Sequence, residues 1–381
     1  MESPLWQRLK KGPWKKIASK VERGERLTRE EGIQLAASDD LLALGLMADL
    51  ARRLRCGDEV YFIRNLHINY TNICKNSCLF CAFGRSPGHP QGYILSLEEI
   101  EGRVRRAAQT GIREVHIVGG LNPDLPYVYF IDLVRTVRKA APDICIQAFD
   151  AVEIDFIASQ GKKSIEETLG ELKEAGLDSL PGGGAEVFSP SLRRLLCPQK
   201  TGAEKWLKIH ETAHGLGIPT NATMLYGHLE TASERVDHLL ALRDLQDRTG
   251  GFLAFIPLAF HPQNTPLAHL PGPTGVEHLK MLALSRLLLD NFRHIKAFWI
   301  MMGLNLAQIS LHFGANDLDG TVLEEKIFHE AGAQTPQWQP AESFLHCIFK
   351  AGRIPVERDT LYREVRRYHH PEGSSPCPCS G

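Results

Sequence analysis

The chain has 381 residues, of which 43% are hydrophobic and 23% charged, with a formal net charge of −1. This composition supports a sizeable buried core and excludes global disorder. The neutral balance gives no electrostatic case for nucleic acid or an anionic membrane surface, and no apolar run reaches the length of a bilayer span.

Residues 1 to about 60 read as an N-terminal helical extension. Its basic stretch, Arg8 to Lys20, reads as a solvated helix face, with a polybasic contact surface as the alternative. Leu42, Leu46, Leu50 and Leu54 recur at helical spacing, and Asp39–Asp40 offer a cap. The N-terminus lacks the apolar core of a signal peptide. The nine cysteines form no disulfide framework, and the expected address is the cytoplasm.

Between 61 and 335, strand-like runs alternate with helix-like stretches. The strand candidates are Leu66–Asn72, Glu114–Gly119, Ile144–Asp150, Ser179–Gly184, Thr220–Leu225, Phe252–Ala259, Ile295–Met301 and Gln308–Phe313. Alternation implies a parallel sheet, and eight strands close an α/β barrel of the (β/α)8 TIM type. A doubly wound open sheet is the rival, but it usually carries a glycine-rich phosphate loop after its first strand. Cysteines follow the first strand here. Along that strand His67, Asn69 and Thr71 share one face by period two. Polar groups recur at the ends of most other strands, where barrel enzymes build their sites.

Residues 336–381 read as a C-terminal extension with a flexible tail over His369–Gly381. Cys377 and Cys379 in that tail are a possible metal pair.

Cys74, Cys78 and Cys81 fall within eight residues directly after the first strand. Thiolates suit zinc or iron–sulfur clusters. Structural zinc wants four closed ligands, and a ferredoxin cluster also takes four cysteines. No fourth ligand stands at that spacing. Three ligands on a four-iron cluster leave one iron open.

The spacing Cys-x3-Cys-x-aromatic-Cys resembles the signature of the radical S-adenosylmethionine superfamily. That resemblance implies a [4Fe–4S] cluster on Cys74, Cys78 and Cys81, and S-adenosyl-L-methionine chelated at the open iron. It implies that Phe80 lies against the adenine and that the Gly119–Gly120 backbone meets the methionyl amino group. Leu121 stands where an acidic residue is usual. Glu186, after three glycines, and Asn221, at a strand end, complete the expected cofactor contacts.

Longer strings narrow the resemblance: HINYTNIC from His67, SLPGGGAEVFS from Ser179, NATMLYGH from Asn221 and IKAFWIMMG from Ile295. Together they resemble the aminofutalosine synthase family of the futalosine route to menaquinone, over about residues 25 to 335. The resemblance implies addition of the 5′-deoxyadenosyl radical to 3-[(1-carboxyvinyl)oxy]benzoate, aryl migration and decarboxylation, giving 6-amino-6-deoxyfutalosine. S-Adenosylmethionine would be a co-substrate, with a flavodoxin or ferredoxin as electron donor. The substrate carries two carboxylates, which need cations or amide donors. Arg85 and His261 are the candidate catalytic groups. His67, Asn69, Arg193, Asn316 and Asp317 are the candidate substrate contacts. Cyclic dehypoxanthine futalosine synthase and FO-synthase-like enzymes are related alternatives. A non-enzymatic zinc or iron–sulfur protein is the alternative of another class.

Overall fold

A computed structural model describes residues 4–369 of the chain. The tail beyond, with Cys377 and Cys379, lies outside the described residues.

The strands are β1 (Glu59–Ile63), β2 (Asn65–Ile68), β3 (Glu114–Ile117), β4 (Cys145–Ala148), β5 (Thr220–Tyr226), β6 (Phe252–Ala259), β7 (His294–Ile295), β8 (Asp317–Gly320), β9 (Ile354–Arg358) and β10 (Glu364–Arg367). They form three ladders, β2-β3-β4, β5-β6-β7 and β10-β9-β1-β8. Single parallel bridges join the ladders edge to edge. Gln147 pairs with Ser179, Leu180 with Thr220, Lys296 with Asp317 and Leu66 with Leu323. No continuous ladder runs the whole circle, yet the parallel neighbours return to β2 through eight positions. The fold is a barrel-like α/β architecture with one position, Ser179–Leu180, reduced to bridges.

Local chemistry starts the outer helices on cue. Ser96 with Glu99, Asp150 with Glu153, Ser164 with Glu167, Thr231 with Glu234 and Thr274 with Glu277 each form a reciprocal capping box. Each box satisfies two backbone donors at a helix start. The apolar faces of these helices pack against the ring, where Val115, Ile117, Ile146, Met224 and Phe255 are fully buried.

Three expectations are corrected. Gln308–Phe313 is not a strand: Leu304–Ser310 is a helix, and Asp317–Gly320 supplies the eighth position. Ile309, Leu311 and Phe313 alternate in sequence. The buried positions are instead 307, 310, 311 and 314, the spacing of a helix face. Ile295–Met301 is a strand only at its start, because Trp299–Met302 turns into a short helix. In the helix Leu41–Cys56 the cap is as expected, with Asp40 Oδ1 accepting from the Ala43 amide at 3.1 Å. Its buried face is not the leucine stripe, since Leu42 and Leu54 are exposed and Ala43, Leu44, Met47, Ala48 and Ala51 are buried. The small residues admit the helix Gly275–Leu288 closely.

The C-terminal region extends the sheet. The helix Ala341–Lys350 packs beside β9, which pairs in parallel with β1, and β10 pairs antiparallel with β9. Arg358 and Tyr362 both donate to the Asp317 carboxylate at 2.7 Å, tying this region to β8.

Candidate active site

The C-terminal ends of the barrel strands enclose a cavity of about 300 Å³. Cys74, Cys78 and Cys81 all line it. Their loop is held by backbone bonds. The Cys74 amide donates to Arg85 O at 2.8 Å, the Lys75 amide to Leu121 O at 3.0 Å and the Leu79 amide to Leu196 O at 2.9 Å. The Gly84 amide donates to Cys81 Sγ at 3.3 Å.

Burial pushes the Cys78 thiol up to about 12, against the opposing pull of Lys200. Burial also raises Cys74. Metal binding therefore has to displace protons that these thiols keep at neutral pH. The donor chemistry fits an iron–sulfur cluster: three soft thiols on one loop and an N–H···S bond at one of them. Among the described residues no three His, Cys, Asp or Glu side chains converge on a point suited to a single ion. A cluster distributes its ligands over several irons, so that convergence is not required of it.

Around the loop the glycines are there because side chains would not fit. A Cβ on Gly120 would collide with the backbone carbonyl of Ile73, and one on Gly119 would stand 2.7 Å from the Tyr70 ring. The Gly119 amide and the Tyr70 hydroxyl both donate to Glu153 Oε1, at 3.0 and 2.8 Å. Glu153 Oε2 accepts from the Asp150 amide. Glu153 is thus the acidic group that holds the Gly119 turn, contributed by the next βα unit. Sequence reading noticed that no acid follows Gly120 but did not find this partner, because it lies 33 residues beyond in the chain.

Glu186 sits in the left-handed region, at φ 48°. Such a conformation is uncommon for a residue with a Cβ, and at a cavity it marks a constrained position. Its carboxylate pairs with Lys200 at 2.5 Å. Burial opposes the Lys200 ammonium, but its ion pair with Glu186 outweighs it and the group stays charged. The ammonium lies 5.5 Å from the Phe80 ring centroid, a cation–π contact beside the cysteine loop.

Asn69 and Asn221 line the cavity and are almost wholly buried. The Oδ1 atom of each has no hydrogen-bond partner. A buried unpaired acceptor is costly, and both await a donor. His67 and His261 also line the cavity. His261 Nδ1 faces Ala259 O at 3.2 Å, and burial lowers its basicity.

Four expected residues are turned elsewhere. Arg85 points back into the cysteine loop, where its Nη1 donates to the carbonyls of Ala82, Phe83 and Gly84 at 2.7, 3.1 and 3.2 Å. Its other edge pairs with Glu330 at 3.3 Å. It braces the loop rather than facing the cavity. Arg193 donates to the carbonyls of Ala185 and Thr201, buried beneath the glycine turn. Asn316 Oδ1 accepts from Arg286 at 2.8 Å and from the Ile295 amide at 3.0 Å. Asp317 is taken by Arg358 and Tyr362. Each of these residues satisfies buried backbone or charge instead of lining the cavity.

Sequence reading also missed Lys296 and Asp319 as a pair. Both line the cavity and meet at 2.8 Å. Burial opposes the Asp319 charge, but Lys296 outweighs it and the carboxyl falls to about 2. They stand 23 residues apart on neighbouring strands, and no local pattern in the sequence links them.

Comparison with known proteins agrees with this geometry. Residues 68–242 match the model of the Radical SAM superfamily, and residues 249–370 match the CofH/MqnC C-terminal region. An aminodeoxyfutalosine synthase of Thermus thermophilus is 47% identical over 354 residues, covering 92% of this chain and 95% of its own. A 5-amino-6-(D-ribitylamino)uracil–L-tyrosine 4-hydroxyphenyl transferase of Methanothermobacter thermautotrophicus is 39% identical, covering 92% and 97%. Among solved structures, methylornithine synthase (PylB) superposes with a TM-score of 0.72 at 20% identity, covering 89% of this chain and 96% of its own. That last likeness speaks to the fold.

Proposed function

The chain belongs to the radical S-adenosylmethionine superfamily, whose enzymes use a [4Fe–4S] cluster and S-adenosylmethionine, and from that premise we propose that it is an aminodeoxyfutalosine synthase. Its substrates on this reading are S-adenosylmethionine and 3-[(1-carboxyvinyl)oxy]benzoate. The products are methionine, 6-amino-6-deoxyfutalosine and the lost carboxylate. The observation that carries the reading is the 47% identity to a relative of that name along nearly the whole of both chains.

When bound, the cluster supplies the electron that cleaves S-adenosylmethionine to methionine and the 5′-deoxyadenosyl radical. The protein's own part is placement and exclusion of water. On this reading Cys74, Cys78 and Cys81 hold the cluster, and Arg85 fixes the loop that carries them. The Gly119–Gly120 backbone, held by Glu153, receives the methionyl end. Asn69 and Asn221 offer their unpaired oxygens to ligand N–H or O–H groups. Glu186 with Lys200 flanks Phe80, where an adenine would lie. An apolar wall of Ile256, Leu258, Phe298 and Phe328 accepts an aryl ring and keeps water from the radical. His261 is proposed at the enol-ether end. A flavodoxin- or ferredoxin-type protein would supply the electron.

A second reading follows from the 39% identical hydroxyphenyl transferase, whose name specifies a tyrosine substrate. The test is an anaerobic assay of the reduced, cluster-loaded protein with three alternatives in parallel. These are the enolpyruvyl benzoate, tyrosine with the ribitylaminouracil, and dehypoxanthine futalosine. Consumption of the first alone supports the proposal. Consumption of either of the others instead overturns it.

A further inference from the structure

The deepest part of the cavity is polar. His67 and His116 occupy paired register positions on β2 and β3, and their rings stack at a centroid distance of 4.6 Å. Across the barrel Lys296 follows β7, and its ammonium is buried. Its one hydrogen bond among the described residues goes to Asp319 Oδ1, so two of its three N–H donors remain for a ligand. Asp319 reaches this position from a left-handed backbone at φ 65°. A non-glycine residue held there marks a constrained position.

The neighbouring bonds orient the histidines. Asn65 Oδ1 accepts from the Val322 amide at 2.8 Å, so its Nδ2 faces His67 Nε2 at 3.3 Å. His67 Nε2 is then an acceptor, and its proton sits on Nδ1. Gln147 Nε2 donates to Ser179, so its Oε1 accepts from His116 Nδ1 at 3.0 Å. Glu114 lies beneath both rings, but Thr360 donates to its Oε2 at 2.8 Å and Asn65 faces its Oε1.

Toward the mouth stand Leu258 and Phe298, and the cysteine loop closes the top. A substrate with its reacting alkene near the loop and an aryl ring along the apolar wall would direct a meta substituent to the floor. We propose that Lys296, with the Nδ1–H of His67, is the binding subsite for the aryl carboxylate, that His116 only stacks on and steadies the His67 ring, and that Asp319 is the positioning residue that fixes Lys296. This rests on the proposed reaction for the orientation. The enolpyruvyl carboxylate then stays at the upper level. A charged donor aimed at one carboxylate also excludes uncharged aryl groups of the same shape.

The test is binding of 3-methoxybenzoate and 3-methoxybenzamide to the cluster-loaded protein with S-adenosylmethionine, by anaerobic titration calorimetry. The wild type is expected to prefer the acid at least about ten-fold, the scale of one charge-assisted contact. The paired change Lys296→Met with Asp319→Asn leaves no charge buried alone and should bring the two affinities together. His67→Phe removes the Nδ1–H donor and should reduce the preference by a smaller factor. If the paired variant does not fold, Lys296→Gln and His67→Phe carry the comparison. A preference unchanged in the folded variants, or absent from the wild type, overturns the subsite. A wild type that shows the preference but makes no aminodeoxyfutalosine leaves the subsite standing and removes the proposed reaction.

Discussion

At Cys78 and Arg85 the same loop is served in two ways, one through sulfur and one through backbone carbonyls. Cys78→Ala is expected to abolish the iron and sulfide content of the reconstituted protein and its visible absorbance, while far-ultraviolet circular dichroism stays near that of wild type. Full cluster content in that variant would contradict the ligand assignment. Arg85→Ala removes a guanidinium that satisfies three carbonyls at the cysteine loop. Leaving such acceptors unpaired costs about 1–3 kcal/mol. The expected result is faster cluster loss in air with little change in substrate KM. A large rise in KM at unchanged cluster lifetime would return Arg85 to the substrate.

The Lys296–Asp319 pair has a signed pH dependence. The folded carboxyl lies at about 2 against an ordinary 3.8, a depressed value. Its contribution to stability is therefore fully present above the ordinary value and is lost as pH falls from about 4 towards 2. Asp319→Asn alone leaves a buried ammonium unpaired and is expected to cost about 3–5 kcal/mol in urea unfolding at neutral pH. The paired Lys296→Met/Asp319→Asn variant should recover much of that loss. Equal destabilisation of the single and paired variants would show that the charge balance is not the cause.

At the scale of elements, the glycine turn after β3 is set by space. Gly120→Ala places a methyl against the Ile73 carbonyl, one residue before Cys74. The expected outcome is a sharp fall in cluster content after reconstitution, with the helices retained. What could be read of the elements beforehand depended on whether their signal was local. Capping residues such as Asp40 are local, and they marked their helix start. The cysteine loop was legible because three ligands lie within eight residues. The segment after Gly303 misled because Ile309, Leu311 and Phe313 alternate over a stretch too short to separate the two periods. The leucines at 42, 46, 50 and 54 misled because a strict spacing of four drifts round a helix, and tertiary packing chose the small residues. Glu153 under Gly119, and Lys296 against Asp319, are pairings across strands. Each joins neighbouring positions of the parallel ring, β3 with β4 and β7 with β8, which no local sequence pattern marks.

For the whole molecule, the ring of parallel neighbours explains why the reactive loop and the candidate substrate floor face one cavity. The loop follows β2, the glycine turn follows β3, and the ammonium of Lys296 reaches in after β7. The C-terminal strands β9 and β10 lie outside the ring, on the edge of β1, and secure β8 through Asp317. No helix among the described residues is long and apolar enough to cross a membrane. On the proposed reaction, the radical generated at the cysteine loop is built into the product. The most direct measurement uses S-adenosylmethionine labelled in its ribose, with the reduced protein and 3-[(1-carboxyvinyl)oxy]benzoate, followed by mass analysis. If that incorporation occurs, the label appears in 6-amino-6-deoxyfutalosine in step with methionine release. Label recovered as free 5′-deoxyadenosine, with the benzoate unchanged, would contradict it.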